Sequence, residues 1–195
     1  MFSPLFEKAL RVAARAHRQQ LRKASDLPYI THPFSVAMIL IRAGFRDDYL
    51  LAAALLHDTI EDTDYSVAEL TAEFPPQVTE YVALTTERKL DDTGRKRSWL
   101  SRKTEHIAVV AQSPQAVRAI TLADKLHNLG TTLYDLEAGE DIWSRFHATP
   151  EQVLWYHRTM IQSAAGSDPA LVELADACRE LVARLDATLR GERGT

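Results

Sequence analysis

Residues 50–63 read Leu-Leu-Ala-Ala-Ala-Leu-Leu-His-Asp-Thr-Ile-Glu-Asp-Thr, so that seven apolar residues run directly into a cluster of ionisable side chains. An apolar run without a polar face predicts a buried helix. Residues three and four apart share one face of a helix, which makes Asp58 a neighbour of both Glu61 and Asp62. Burying such carboxylates is costly unless a cation or hydrogen-bond partners compensate. The stretch therefore favours a metal site, and a helix end with solvated charges is the alternative.

Two further segments carry the same types of side chain. Residues 28–33 read Pro-Tyr-Ile-Thr-His-Pro, and residues 122–129 read Leu-Ala-Asp-Lys-Leu-His-Asn-Leu. Together with the first stretch they supply two histidines and two aspartates, in the order His32, His57, Asp58 and Asp124. Nitrogen and oxygen donors without thiolate suit Mn, Fe, Zn or Mg rather than a structural zinc cage. The three segments together predict a site for a divalent metal.

Some of these residues also have an ordinary structural explanation when they are taken singly. His32 could cap a helix or lie in the core, and Asp124 could be an exposed carboxylate paired with Lys125 or Arg118. Asn128 follows Asp124 by four residues and could reach a ligand bound at the metal. Alternatively, Asn128 could cap the end of its helix, because Gly130 follows it closely.

The composition describes a globular chain of 195 residues, with 46% hydrophobic and 26% charged residues. This length predicts one domain over residues 1–195, with a core at about 5–165 and a C-terminal helix at about 169–190. A net charge of −4 argues against a nucleic-acid surface. The single cysteine, Cys178, excludes an internal disulfide and a cysteine metal cluster. No signal peptide or membrane-length apolar run is present, so we expect a cytoplasmic protein without a membrane partner. The oligomeric state stays open.

The periodicity predicts an all-α array of about eight to ten helices, since no segment alternates as a strand does. Cap residues followed by proline mark several helix starts, and Ser66 with Glu69 forms a capping box. The charged residues 87–97 are expected to form a loop. Helices are expected to begin at Pro4, to span 33–42, 47–60, 76–86, 98–111, 114–129, 150–165 and 169–189, and a short one to follow Ser66.

The motifs resemble those of the HD-domain metal-dependent phosphohydrolases. More narrowly, the chain is similar to the hydrolase module of RelA/SpoT-type alarmone enzymes and to the small alarmone hydrolases. The resemblance covers roughly residues 5–165 and is carried by Gln20–Lys23, Pro28–Pro33, Leu55–Thr63 and Leu122–Leu129. It implies an HD-type helical domain and a divalent cofactor, with Mn²⁺ as the expected ion. It also implies that Glu61 and Asp62 orient or deprotonate the attacking water.

Cationic and aromatic residues are candidates for contact with a nucleotide substrate. Arg22 and Lys23 precede the His32 motif, where they could bind phosphate or stack on a base, although Lys23 could equally lie in a solvated basic turn. The resemblance implies that Lys103 faces the distal phosphates. Tyr156 is a candidate for closing the pocket, although most aromatic residues at helical spacing belong to a core.

The resemblance implies an enzyme that removes the 3′-pyrophosphate of guanosine 3′,5′-bis(diphosphate), ppGpp, or of the pentaphosphate. The length of 195 residues leaves no room for a synthetase domain, so degradation without synthesis is expected. The runner-up is an HD phosphohydrolase acting on the 2′-phosphate of NADPH or on a nucleoside monophosphate. A non-catalytic nucleotide-binding or scaffold protein is the third alternative. The chain departs from the family pattern at Gly130, where the bifunctional enzymes carry Arg, and at residues 24–27, which lack the usual Gly.

Overall fold

The computed structural model describes residues 2–22, 26–146 and 148–191 and shows an array of α-helices. These helices are α1 (Pro4–Ala16), α2 (Thr31–Arg42), α3 (Asp48–Leu56), α4 (Thr59–Asp62), α5 (Val67–Glu73), α6 (Pro76–Thr85), α7 (Trp99–Ala111), α8 (Gln115–Glu137), α9 (Pro150–Ala165) and α10 (Val172–Leu189). Short 3₁₀ helices, Trp143–Arg145 and Pro169–Leu171, precede α9 and α10. Over these residue ranges we find isolated β-bridges but no β-strand. The all-α prediction is confirmed.

The apolar run identified in the sequence forms the centre of the fold. Every residue from Leu50 to Leu56 on α3 is buried, and α3 packs against α1, α2, α6 and α8. In turn, α8 packs against α2, α9 and α10. One hydrophobic cluster extends through these contacts from Ala9 on α1 to Leu185 on α10. The helices that carry the three motif segments are therefore mutual neighbours.

Local capping chemistry sets several helix starts, as predicted. The Ser3 Oγ accepts a hydrogen bond from the Phe6 amide at 3.2 Å and opens α1. At α5 the Ser66 Oγ accepts from the Glu69 amide at 3.2 Å, and the Glu69 carboxylate accepts from the Ser66 amide at 2.8 Å. These reciprocal bonds satisfy amides that have no partner within the helix.

The predicted continuous helix over residues 47–60 is wrong, because the chain breaks at His57 and Asp58 into α3 and α4. Side chains compete for the last carbonyls of α3. The His57 Nδ1 bonds the carbonyl of Ala54 at 2.8 Å, and the Thr59 hydroxyl donates to the carbonyl of Leu56 at 2.6 Å. Such bonds offer the backbone an alternative to helix continuation. The break directs His57 and Asp58 out of the regular helix.

Three further boundaries differ from the prediction. Helix α2 begins at Thr31 instead of residue 33, because the carbonyl of Pro28 accepts from the amide and the hydroxyl of Thr31 at 3.1 and 2.8 Å. Helix α8 passes through Gly130, where an added Cβ would lie 3.7 Å from a Leu181 methyl of α10. Packing against α10 thus overrides the low helix propensity of glycine. The last segment starts as a 3₁₀ turn before α10, since Asp168 caps it.

Among the described helices, none combines the length and the apolar character that a membrane crossing requires.

Candidate metal centre

The four candidate ligands come from three packed elements. His32 lies in the first turn of α2, His57 and Asp58 lie between α3 and α4, and Asp124 lies in the middle of α8. The His32 Nε2 is 3.4 Å from the Oδ2 of Asp58 and 3.2 Å from the Oδ1 of Asp124. The His57 Nε2 is 3.2 Å from the Oδ2 of Asp58 and 3.8 Å from the Oδ1 of Asp124. The structure therefore brings all four residues together.

The His57 ring is oriented by the end of α3. Its Nδ1 lies 2.8 Å from the carbonyl oxygen of Ala54, which can only accept, so Nδ1 carries a proton. In neutral histidine the Nε2 then presents a lone pair. Within the described part of the chain, this buried Nε2 has no hydrogen-bond partner of acceptable geometry, although Asp58 is 3.2 Å away. A buried polar atom in this position is costly unless a ligand such as a cation meets it.

Both carboxylates are held by donors from neighbouring residues. The Tyr29 hydroxyl donates to Asp58 at 2.7 Å, while Lys125 Nζ and Asn128 Nδ2 each donate to Asp124 at 2.6 Å. Burial opposes ionisation of both groups. Burial is the largest single influence and would raise each pKa, but the charges and hydrogen bonds of His57 and His32 at Asp58, joined by Lys125 at Asp124, together outweigh it. Both carboxyl pKa values therefore lie well below their usual range. Both aspartates are therefore ionised at neutral pH.

The donor set fits a divalent cation. One donor atom from each of His32, His57 and Asp124 lies within 4.8 Å of the others, and the Oδ2 of Asp58 lies beside both histidines. Burial alone would lower the pKa of His57, yet the charges of Asp58 and Asp124 raise it well above its ordinary value. The same negative potential attracts a metal ion. Two imidazoles and two carboxylates suit ions from Mg²⁺ to Zn²⁺.

Glu61 and Asp62, the candidate catalytic acids, lie on α4 beside this centre. The Oε2 of Glu61 accepts from the Glu87 amide at 2.9 Å. Lys89 Nζ lies 3.4 Å from the Oε1 of Glu61 and 2.8 Å from the Oδ1 of Asp62. Burial raises the pKa of Glu61, although the Glu87 amide and Lys89 oppose it. Glu61 is thus a half-buried carboxylate with more affinity for a proton than a solvated one.

Arg22 and Asn128 meet on one side of the centre. The Arg22 guanidinium donates to the Oδ1 of Asn128 at 3.2 Å and to the hydroxyl of Thr131 at 3.4 Å. It also lies 5.6 Å from the ring centroid of Tyr29. Because α8 continues to Glu137, the alternative that Asn128 caps a helix end is wrong. Lys23 lies outside the described residues.

Lys103 and Tyr156 meet on α7 and α9. The Lys103 Nζ lies 4.6 Å above the Tyr156 ring and bonds the buried carboxylate of Glu87, which also binds Arg102. Tyr156 itself is buried, and Lys125 Nζ is 5.3 Å from its ring. The Tyr156 ring therefore joins Lys103 to the lysine that holds Asp124.

Tyr29, Glu87 and Lys89 had no assigned role in the sequence analysis, and Lys125 was considered only as an ion-pair partner of Asp124. Tyr29 and Lys125 lie inside the quoted motifs, one three residues before His32 and the other next to Asp124, so proximity was a usable signal. Glu87 and Lys89 lie in the loop after α6. Their contacts with Glu61 and Asp62 join residues 26 to 28 positions apart, which no local pattern shows.

The chain is similar in sequence to a known protein family and to several known proteins. The family model described as HD domain matches residues 9–153. The human guanosine-3′,5′-bis(diphosphate) 3′-pyrophosphohydrolase MESH1 is 44% identical over 119 residues, which are 60% of this chain and 63% of that protein. The Drosophila melanogaster MESH1 is 39% identical over 130 residues, covering 65% of this chain and 69% of that protein. The GTP pyrophosphokinase of Streptomyces coelicolor is 41% identical over 128 residues, which are 66% of this chain and 15% of that protein. This chain thus covers less than two thirds of the human and Streptomyces proteins.

Solved structures resemble the whole array. One, described as a metazoan ortholog of SpoT that hydrolyzes ppGpp and plays a role in starvation responses, superposes with a TM-score of 0.75 at 30% identity and covers 99% of both chains. A crystal structure from Listeria monocytogenes superposes with a TM-score of 0.69 at 35% identity, covering 81% of this chain and 95% of that one.

Proposed function

Because the chain belongs to the HD domain family and is homologous to RelA/SpoT-type hydrolase domains, we propose that it is a metal-dependent hydrolase that removes the 3′-pyrophosphate of ppGpp or pppGpp. The names of the MESH1 relatives and of the SpoT ortholog support this substrate. The observation that carries the proposal is the four-donor centre, in which the buried His57 Nε2 has no hydrogen-bond partner of acceptable geometry among the described residues and lies beside Asp58 and Asp124. A scaffold protein would have no need of such a centre.

His32, His57, Asp58 and Asp124 would hold the cation, and we propose Mn²⁺ as that ion. A divalent cation supplies neutralisation of phosphoryl charge and makes water more acidic. Tyr29, Lys125 and Asn128 hold the two aspartates in place through their hydrogen bonds. A cytoplasmic location is part of the same proposal.

Glu61 is the proposed proton acceptor. The attacking water oxygen bonds the phosphorus next to the ribose 3′ oxygen, and its proton passes to the Glu61 carboxylate. The bond between that phosphorus and the 3′ oxygen breaks, the 3′ oxygen takes up a proton, and the products are GDP and pyrophosphate. Burial favours this role because it raises the pKa of Glu61. We propose that Asp62, held by Lys89 at 2.8 Å, orients the same water.

Phosphoryl transfer depends chiefly on positioning and charge neutralisation. We propose that Arg22 and Asn128 contact the nucleotide on one side of the metal, and that Lys23, which lies outside the described residues, binds the same substrate. On the other side, Lys103 would meet the distal phosphates, with Tyr156 closing the pocket below it. Together these groups would offer cationic and polar contacts to a nucleotide that carries phosphates at two positions of its ribose.

The substrate assignment predicts a clear order of specificity. With Mn²⁺ present, kcat/KM for ppGpp should exceed that for NADPH and for nucleoside monophosphates, because ppGpp alone carries a diphosphate on its 3′ oxygen, whereas NADPH offers a single 2′-phosphate and a monophosphate has one phosphorylated position. Initial rates on all three substrates under one metal condition, with GDP and pyrophosphate identified as products, test this order. A preference for NADPH or a monophosphate would contradict the proposed substrate and support the runner-up class.

Arg22 should contribute to binding more than to chemistry. We expect Arg22→Ala to raise KM for ppGpp by about tenfold to a hundredfold, since a hydrogen bond to a charged group contributes about 1.5–3 kcal/mol. A contact made equally in the ground and transition states leaves kcat nearly unchanged. Steady-state kinetics of this variant beside Arg18→Ala, which removes an exposed arginine four residues earlier, provide the test. An unchanged KM with a reduced kcat would show that Arg22 acts on the transition state instead.

A further inference from the structure

His127 contacts the candidate ligand His32 from the same helix that carries Asp124. The Nδ1 atoms of the two histidines are 2.9 Å apart, and their ring centroids are 4.9 Å apart. His32 is only 1% exposed. His127 follows Asp124 by three residues on α8, so both face the same side of that helix. Helix α8 therefore supplies the Asp124 carboxylate to the centre and also the His127 imidazole, which contacts the imidazole of His32.

The proton in this contact determines what His32 presents to the centre. A neutral imidazole has one N–H donor and one acceptor nitrogen, and a bond between two Nδ1 atoms holds one proton. When His32 carries that proton, its Nε2 presents a lone pair towards Asp58 and Asp124. When His127 carries it, the His32 Nε2 must hold a proton instead, which points at carboxylate oxygens 3.4 and 3.2 Å away. The second arrangement excludes a cation.

We propose that His127 is a positioning residue, which accepts the Nδ1 proton of His32 and so fixes His32 as a metal ligand. The proposal rests on the metal-dependent function proposed above. Partners that hold the second nitrogen of a ligating histidine orient its ring, and their loss typically lowers metal affinity about tenfold to a hundredfold. Without an acceptor at position 127, the Nδ1–H of His32 would be buried and unsatisfied, so the proton would move to Nε2.

Three variants separate the acceptor from the volume of the side chain. His127→Phe keeps a ring and removes the acceptor. In His127→Asn the amide oxygen is separated from Cα by the same number of bonds as the Nδ1 of histidine. In His127→Gln that oxygen lies one bond further from Cα. Titration calorimetry with Mn²⁺ on the metal-free full chain, without nucleotide, measures the dissociation constant of each. We expect His127→Phe and His127→Gln to raise Kd about tenfold to a hundredfold, and His127→Asn to stay close to the wild type.

Nitrogen-15 NMR of the imidazoles supplies a readout that a merely structural role would not change. In metal-free protein, the wild type should show His32 protonated at Nδ1, and the His127→Phe variant should show it protonated at Nε2. If His127→Phe does not fold, the Mn²⁺ dissociation constants of His127→Asn and His127→Gln still test whether an acceptor at this position is needed.

Wild-type affinity in the Phe or Gln variant would overturn the role of His127. Absence of Mn²⁺ binding by the wild type would overturn both this role and the proposed metal dependence. Metal affinity that follows the expected order in a protein unable to hydrolyse ppGpp would support the role of His127 and contradict only the substrate.

Discussion

Replacement of His57 by alanine is expected to abolish both metal binding and hydrolysis of ppGpp. The wild type should hold about one divalent ion per chain, since its four donors surround one centre. His57 supplies the buried Nε2 that lacks a partner within the described residues, and it lies between the carboxylates of Asp58 and Asp124. Removing it takes away a ligand and leaves the two carboxylates with one neighbouring imidazole, that of His32, instead of two. Elemental analysis of the purified protein and initial rates with added Mn²⁺ measure both effects.

A second variant guards against a loss of folding. Asp58→Asn keeps the shape of the side chain and removes the negative charge, so it should also lose the metal while keeping its helical circular dichroism. Asp64→Asn makes the same change at an exposed aspartate nearby and should behave as the wild type. Full activity of the wild type in excess chelator, or of His57→Ala with its metal retained, would contradict the proposed centre.

Glu61→Gln should separate proton transfer from metal binding. We expect this variant to keep its metal and to lose about 10²- to 10⁴-fold in kcat, which is the usual contribution of a positioned general base. The amide oxygen can still accept from the Glu87 amide, which lies 2.9 Å from the carboxylate in the wild type, so the loop after α6 should remain in place. Metal content and single-turnover rates on ppGpp measure the two properties independently.

The pH profile gives a further readout of Glu61. A base acts in its ionised form, so kcat/KM should fall as the pH drops through its pKa. Burial raises the pKa of Glu61, and this acidic limb should therefore lie above the range of a solvated glutamate and disappear in the variant. Glu80→Gln, at an exposed glutamate on α6, is the matched control. Loss of the metal in Glu61→Gln would make Glu61 a ligand, and an unchanged rate would remove its catalytic role.

Features that depend on neighbouring residues could be predicted from the sequence. The buried run of α3, the Ser3 and Ser66 caps and the loop over 87–97 each follow from side chains within a few positions of one another. For the same reason, the chemical character of the candidate centre was visible. Histidine and aspartate occur there as adjacent or regularly spaced pairs, and no thiolate competes with them.

The helix break at His57 is a feature that local sequence patterns did not predict. The composition of residues 47–60 favours a continuous helix. However, the His57 and Thr59 side chains form hydrogen bonds with backbone carbonyls in the last turn of α3. In α8 the opposite occurred, because packing against Leu181 carries the helix past Gly130, where propensity alone predicted an end. Helix propensities of residues other than proline differ by only about 1 kcal/mol or less per residue, so specific contacts can move a helix boundary away from the position that propensity predicts.

The tertiary structure alone decided which side chains meet across the chain. Tyr29 holds Asp58, His127 holds His32, and Glu87 reaches both Glu61 and Lys103, over separations of 16 to 95 residues. The first two contacts follow from the way α2, α3 and α8 pack on one another, and those of Glu87 follow from the position of the loop after α6 between α4 and α7. Periodicity within one helix carries no information about that packing. The sequence therefore determined the helices and the type of chemistry, whereas the packing of the helices determined the orientation, protonation and partners of each group in the centre.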